Sequence, residues 1–292
     1  MSYLSSLEDP LSIISPIEHG VTFPESMHLL HDRYREDIRL FKELVQSSRS
    51  SAELLRRIRD TGIPAKRRMS LLKLFRRCVS LVCDTETTKK IDKIPTETIV
   101  KKYGHTFKPI RVLKESFSAL TAEEEASLAA LIGEYDDRGK HGYILTELFF
   151  AWMEDNSPDL RIQGPRGAGK DIELSSIFPD FEGSYPCDFV ITDKKSGRVL
   201  AIGFARYDST RGGAQSDDRT GGNEVKVLKA AEFARKSGES FRIVFLADGP
   251  GLAHSDTWQE ACSLDDSWGG NVRVVTLALC GERITRAWLS GR

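Results

Sequence analysis

The chain has 292 residues, 40% of them hydrophobic and 29% charged, with a formal net charge of −1. That length lies between one large domain and two ordinary ones and is enough to bury a sizeable core. No apolar run approaches the length of a membrane span, and the opening MSYLSSLEDP lacks the basic and apolar regions of a signal peptide, so no membrane partner is expected.

Cys78, Cys83, Cys187, Cys262 and Cys280 form no CxxC pair and no zinc spacing. They read as reduced, buried thiols of a cytoplasmic protein. The near-zero net charge hides an asymmetry. Residues 51–120 hold 17 Lys and Arg against 7 Asp and Glu, a net of +10, so the remainder carries −11. A basic segment beside an acidic core suits an enzyme of DNA, with phosphate contacts on one part and carboxylates for a cation on the other.

In chain order, the first twenty residues show no periodicity and read as an arm. A helix is expected from Pro24, with Leu29, Leu30, Ile38, Leu40, Phe41 and Leu44 as its apolar positions. Ser50 and Ser51 offer a cap for a short helix that stops at Gly62. Pro64 opens another, with Met69, Leu72, Phe75, Val79 and Val82 at helical spacing and Arg67, Arg68, Arg76 and Arg77 on the remaining surface. This pair is compatible with a helix-turn-helix, and the four arginines are candidate DNA contacts. A short helix over Thr96–Tyr103 completes a basic, DNA-binding helical region over residues 1–120. The basic bias ends near Leu120.

Residues 121–292 read as an α/β core. Thr121 with Glu124 makes a capping box, and YILTELFFAWMEDN carries a core stripe of Leu145, Leu148, Phe149 and Trp152, with Glu147 beside it. GPRGAGKD, residues 164–171, nearly matches a phosphate loop, but Asp171 stands where a hydroxyl should meet magnesium. No nucleotide cofactor is therefore expected, and Arg166 and Lys170 are assigned instead to DNA phosphates. Then come YPCDFVI and VLAIGFARYD around a Lys/Ser/Gly turn, the pattern of a β-hairpin. Alternation puts Ile202, Phe204, Arg206 and Asp208 on one face and Gly203, Ala205 and Tyr207 on the other. A glycine-rich loop follows, residues 209–223, whose Arg211, Gln215, Arg219 and Asn223 suit base edges. A helix from Glu224 to Lys236, a strand at Phe241–Ala247, a helix near Trp258 and the strand NVRVVTLAL finish the core.

The order β-β-α-β with Asp188 heading the first strand resembles the catalytic core of the PD-(D/E)xK nucleases, which include the type II restriction endonucleases. The resemblance covers roughly residues 140–280. It implies a restriction-endonuclease-like mixed sheet flanked by helices and Mg²⁺-dependent, sequence-specific hydrolysis of double-stranded DNA. A homodimer follows, because cutting both strands needs two sites. Asp188 takes the first acid position. On the second strand, Phe204-Ala205-Arg206 stands where an acid and a lysine are expected, so Arg206 is left to position phosphate or water. The second carboxylate must then come from Glu224, Glu147, Asp208 or Asp171, Glu224 and Glu147 ranking first. Glu224-Val225-Lys226 spells E-x-K, but on a helix its two ends point about 200° apart. The alternative function is a non-cleaving DNA-binding protein or partner subunit on a degenerate nuclease fold.

Overall fold

A computed structural model describes residues 2–134, 136, 140–209 and 215–291, without the side chains of 215–221. It comprises two compact units, one of residues 20–137 and one of residues 1–19 with 138–292.

The first unit is helical: α1 (Glu25–Ser47), α2 (Ser51–Ile58), α3 (Ala65–Cys78), α4 (Thr85–Thr88), α5 (Thr96–Tyr103), α6 (Ile110–Ser118) and α7 (Ala122–Gly133). Local chemistry sets the starts. Ser50 accepts from Glu53 N at 3.1 Å, prolines 64, 95 and 109 precede α3, α5 and α6, and Thr121 and Glu124 close the expected capping box. Phe41, Leu54, Leu55, Leu71 and Phe75 form its core.

Helix α7 belongs to this unit rather than to the α/β core in which the sequence reading put it. Its Ala129 and Ile132 join the helical core, and a Cβ on Gly133 would come within 2.5 Å of Leu30 Cδ2. Helix α3 ends at Cys78, so Val82 falls beyond the apolar stripe expected of it and is exposed.

The second unit runs α8 (Lys140–Asn156), β1 (Leu160–Gln163), β2 (Ile172–Glu173), β3 (Pro186–Cys187), β4 (Phe189–Asp193), β5 (Val199–Tyr207), α9 (Gln215–Ser237), β6 (Arg242–Asp248), α10 (Ser255–Leu264) and β7 (Val272–Val275). Five strands make one mixed sheet in the order β1-β4-β5-β6-β7. β4 is antiparallel to β1 and β5, while β5, β6 and β7 are parallel, with α9 and α10 as the crossovers.

The expected alternation along β5 holds. Ile202 and Phe204 pack with Val227 and Ala230 of α9 and with Ala261 of α10. Ala201, Ala205 and Tyr207 fall on the other side, with Phe149 and Phe150 of α8. The sheet is thus covered on both faces, as its near-continuous apolar strands require.

Two local expectations are corrected. The backbone is helical from Gln215, so the loop read as extending to Asn223 ends earlier. Gly221 and Gly222 weaken a helix by about 1 kcal/mol each, but Val227, Ala230 and Ala234 anchor the helix on the core and its first turns extend from that anchor. The opening residues are not an arm. Leu4 and Ile13 are buried in the α/β core, Leu4 N donates to Asp265 and Ser15 N donates to the fully buried Asp248.

Candidate active site

The site forms where β4 and β5 part. Asp188 lies between β3, which pairs with β2, and β4, which pairs with β5. Its N–H continues the β4–β5 ladder to Gly203 O at 2.9 Å. Its Oδ2 accepts the next donor along β5, Ala205 N, at 2.7 Å. A side chain therefore takes over a strand's bond where the ladder ends, and backbone accounting fixes the carboxylate in place. Oδ1 has no hydrogen-bond partner among the described residues.

Two glycines permit this packing. A Cβ on Gly164 would stand 2.3 Å from Asp188 O, and one on Gly203 would stand 2.0 Å from the Phe189 ring.

The loop over residues 164–171 borders the same cleft, of about 410 Å³, which Asp171, Asp188 and Arg206 line together with Gly142 and Thr146 of α8. Burial pushes the Asp188 carboxyl above the ordinary carboxylate range; the Ala205 N–H opposes this, the Asp171 charge adds to it, and Lys226 opposes it. The Lys226 ammonium is in turn pushed down by burial and drawn up by Asp188 and Asp171. Lys226 Nζ rests 3.9 Å from the centre of the Phe204 ring. Tyr185, three residues before Asp188, donates its hydroxyl to Lys226 O at 2.9 Å and so fixes this turn of α9.

The helix resolves the Glu224–Lys226 ambiguity. Lys226 is turned toward Asp188, while Glu224 is exposed and lines neither the cleft nor the cavity beside it. Only one end of E-x-K can face the sheet, and it is the lysine. The sequence reading dismissed this triplet. The sequence carries no clear signal for this: its apolar pattern points to Val225, Leu228, Ala231 and Phe233 as the inner positions, whereas Val227, Ala230 and Ala234 are buried and Val225 and Leu228 exposed, which places position 226 at the edge of the buried face.

Of the other candidates, Glu147 points elsewhere. It is half exposed and paired with Arg166 Nη1 at 2.5 Å, whereas Gly142, Tyr143 and Thr146 present the cleft-lining side of α8. Asp208 is buried and accepts from Arg206 Nε at 2.6 Å, and it lines neither the cleft nor the cavity beside it. Asp171 is the one alternative acid that shares the cleft with Asp188. Among the described residues no group of three His, Cys, Asp or Glu is placed to hold a metal ion. Two carboxylates nonetheless fit Mg²⁺, which takes one or two from the protein and fills its shell with water and substrate phosphate oxygens.

The proposed DNA contacts fall in both units, and several already have partners within the chain. Arg67 pairs with Asp37 at 3.1 Å and Arg77 with Glu134 at 3.5 Å. Arg68 donates to the carbonyls of Asp60 and Ile63. Arg76 and Lys170 are exposed. Arg166 is held by Glu147 and Glu154 over the Phe150 ring. Asn223 donates to the buried Glu260 at 2.9 Å. Arg211 and the side chains of Gln215 and Arg219 lie outside the described residues. No helix among the described residues is long and apolar enough to cross a membrane. Comparison with known proteins returns no matching family model, no matching curated protein and no matching solved structure.

Proposed function

We propose that the chain is a Mg²⁺-dependent endonuclease of double-stranded DNA, of the site-specific PD-(D/E)xK kind. Asp188 and Asp171 are its cation ligands, and Lys226 stands in for the lysine missing from β5. The observation that carries this reading is the Asp188 carboxylate, held by Ala205 N at the parting of β4 and β5, with a second carboxylate and a half-buried ammonium acting on it. When bound, the cation supplies neutralisation of the phosphate and activation of water. The chain's own residues do the rest. Asp188 is pre-oriented by its backbone bond, Lys226 offers positive charge to the developing phosphorane oxygens, and Arg206 serves as a fixed cation because it does not lose its proton. Cutting both strands calls for two copies of the site, hence a homodimer.

Incubation of supercoiled plasmid with Mg²⁺, and in parallel with EDTA, tests the reading. Linear product in Mg²⁺ that disappears in EDTA and in Asp188→Ala supports it. Duplex binding with no cleavage in Mg²⁺ would overturn it in favour of a non-cleaving DNA-binding protein.

A further inference from the structure

Beside the cleft lies a second cavity, of about 270 Å³, between the sheet and helices α9 and α10. Asp188, Ala205 and Arg206 border both spaces. The chemistry changes from one to the other. The cavity's walls are apolar, made by Phe204 and Phe245 on one side and by Leu252, Ala261 and Leu264 on another. The Phe204 and Phe245 rings lie nearly parallel, 24° apart with centroids at 5.3 Å.

One acidic group is set into this apolar wall. Glu260 is 6% exposed, accepts from Asn223 Nδ2 through Oε1 at 2.9 Å, and has its Oε2 3.9 Å from Arg206 Nη1. A carboxylate at this depth, with one oxygen bonded and the other beyond hydrogen-bond distance of its cation, is a ready acceptor for an N–H donor entering the cavity.

We propose that this cavity takes a single nucleobase carrying an exocyclic amino group, unstacked from its strand, while its phosphate lies toward Lys226 and Arg206. The inference rests on the nuclease reading for the phosphate, since Arg206 borders both spaces and Lys226 lines the cavity. Three features fix the class of ligand. The volume falls below the roughly 300–1,000 Å³ of ordinary ligand sites, so it suits one ring system rather than a longer molecule. Aromatic and aliphatic walls are what an extruded base requires in place of its neighbours in the stack. Glu260 matches the amino group of cytosine or adenine and finds no donor of that kind on thymine.

Saturation-transfer NMR on the full chain tests the proposal, with deoxycytidine, deoxyadenosine and thymidine 5′-monophosphates as probes and deoxyribose 5-phosphate as the baseless control. Base protons of the amino-bearing nucleotides should receive saturation, those of thymidine 5′-monophosphate clearly less, and the sugar phosphate little. Ala261→Phe fills the cavity and should weaken base binding about tenfold or more. Leu252→Phe repeats the test at another wall residue should the first variant fail to fold. Glu260→Gln should erase the preference over thymine. No base signal from any nucleotide, or equal signals in the wild type and a folded cavity-filling variant, overturns the proposal. Plasmid cleavage without base occupancy sinks this inference alone. Base occupancy without cleavage sinks the nuclease reading alone.

Discussion

Burial raises the proton affinity of Asp188 and lowers that of Lys226, so both shifts oppose the charges a phosphate site uses. A carboxyl whose folded pKa lies above its unfolded value contributes stability that is fully present below the unfolded pKa and lost as pH rises through the folded one. Asp188→Asn should therefore raise the melting temperature at neutral pH, and the gain should vanish in acid. Scanning calorimetry at pH 7 and below pH 4 checks this, and a destabilised variant at pH 7 would contradict it. For cleavage the same shift has the opposite consequence. In the proposed mechanism ionised Asp188 is the competent form, so the acid limb of the rate profile should sit above the ordinary carboxylate range. Higher Mg²⁺ should move that limb to lower pH in the wild type by competing with the proton, whereas Asp171→Asn, which removes a proposed cation ligand, should lower cleavage by orders of magnitude. At position 226, Lys226→Met keeps length and loses charge. It should lower cleavage by orders of magnitude, whereas Glu224→Gln should leave it nearly unchanged. If Glu224→Gln were the inactive one, the assignment of α9 would be wrong. The thiols yield a simpler expectation. Burial pushes Cys78 up to about 11, and Cys187 and Cys280 up to about 12, so these three should resist iodoacetamide at pH 8 until the chain unfolds.

Among the elements, α1, α3 and the residues after α7 meet at Asp136, which accepts from Lys73 Nζ at 2.5 Å, Arg33 Nη1 at 3.1 Å and the Tyr34 hydroxyl. Burial alone would push this carboxyl up; the bonds from Lys73 and Tyr34 outweigh it and hold it below the ordinary range. Its stabilisation is thus present above the unfolded pKa and lost as pH falls through the folded one. Asp136→Asn should cost roughly 1.5–3 kcal/mol at neutral pH and much less near pH 2, as urea melts at the two pH values would show. The basic face of α3 makes a different prediction. Arg67 and Arg77 already have carboxylate partners, so neutralising them should change the log–log salt slope of duplex binding less than neutralising exposed Arg76, for which a full phosphate contact is worth about 0.9. Such contrasts show what sequence could and could not carry. Helix starts at Ser50, Pro64, Pro95 and Thr121, and the hairpin alternation from Ile202 to Tyr207, depend on neighbours within a few residues and were legible. The start of α9 was not, because two glycines look like a break until the packing of Val227, Ala230 and Ala234 is known. Asp171 joining Asp188 depends on a loop passing close enough to require Gly164, which no local pattern reports.

At the scale of the whole molecule, the boundary between units differs from the one the charge pattern marked. Charge follows what a surface meets, whereas a unit follows what a core buries, and the acidic α7, with Glu123, Glu124 and Glu125 in its first turn, joins the helices through Ala129 and Ile132. The α/β unit is also discontinuous in sequence, since residues 1–19 and 138–292 share it around the helical unit. Leu4 N and Ser15 N donate to Asp265 and Asp248, and Ala278 N donates back to the Ser15 hydroxyl. During synthesis, residues 2–17 leave the ribosome long before β6, β7 and the residues around Asp265 exist. All residues of the helical unit are made by residue 137, while the opening segment still waits for its acceptors. This segment therefore waits for partners that are made long after it, and it can take its place only once the residues around Asp248, Asp265 and Ala278 exist.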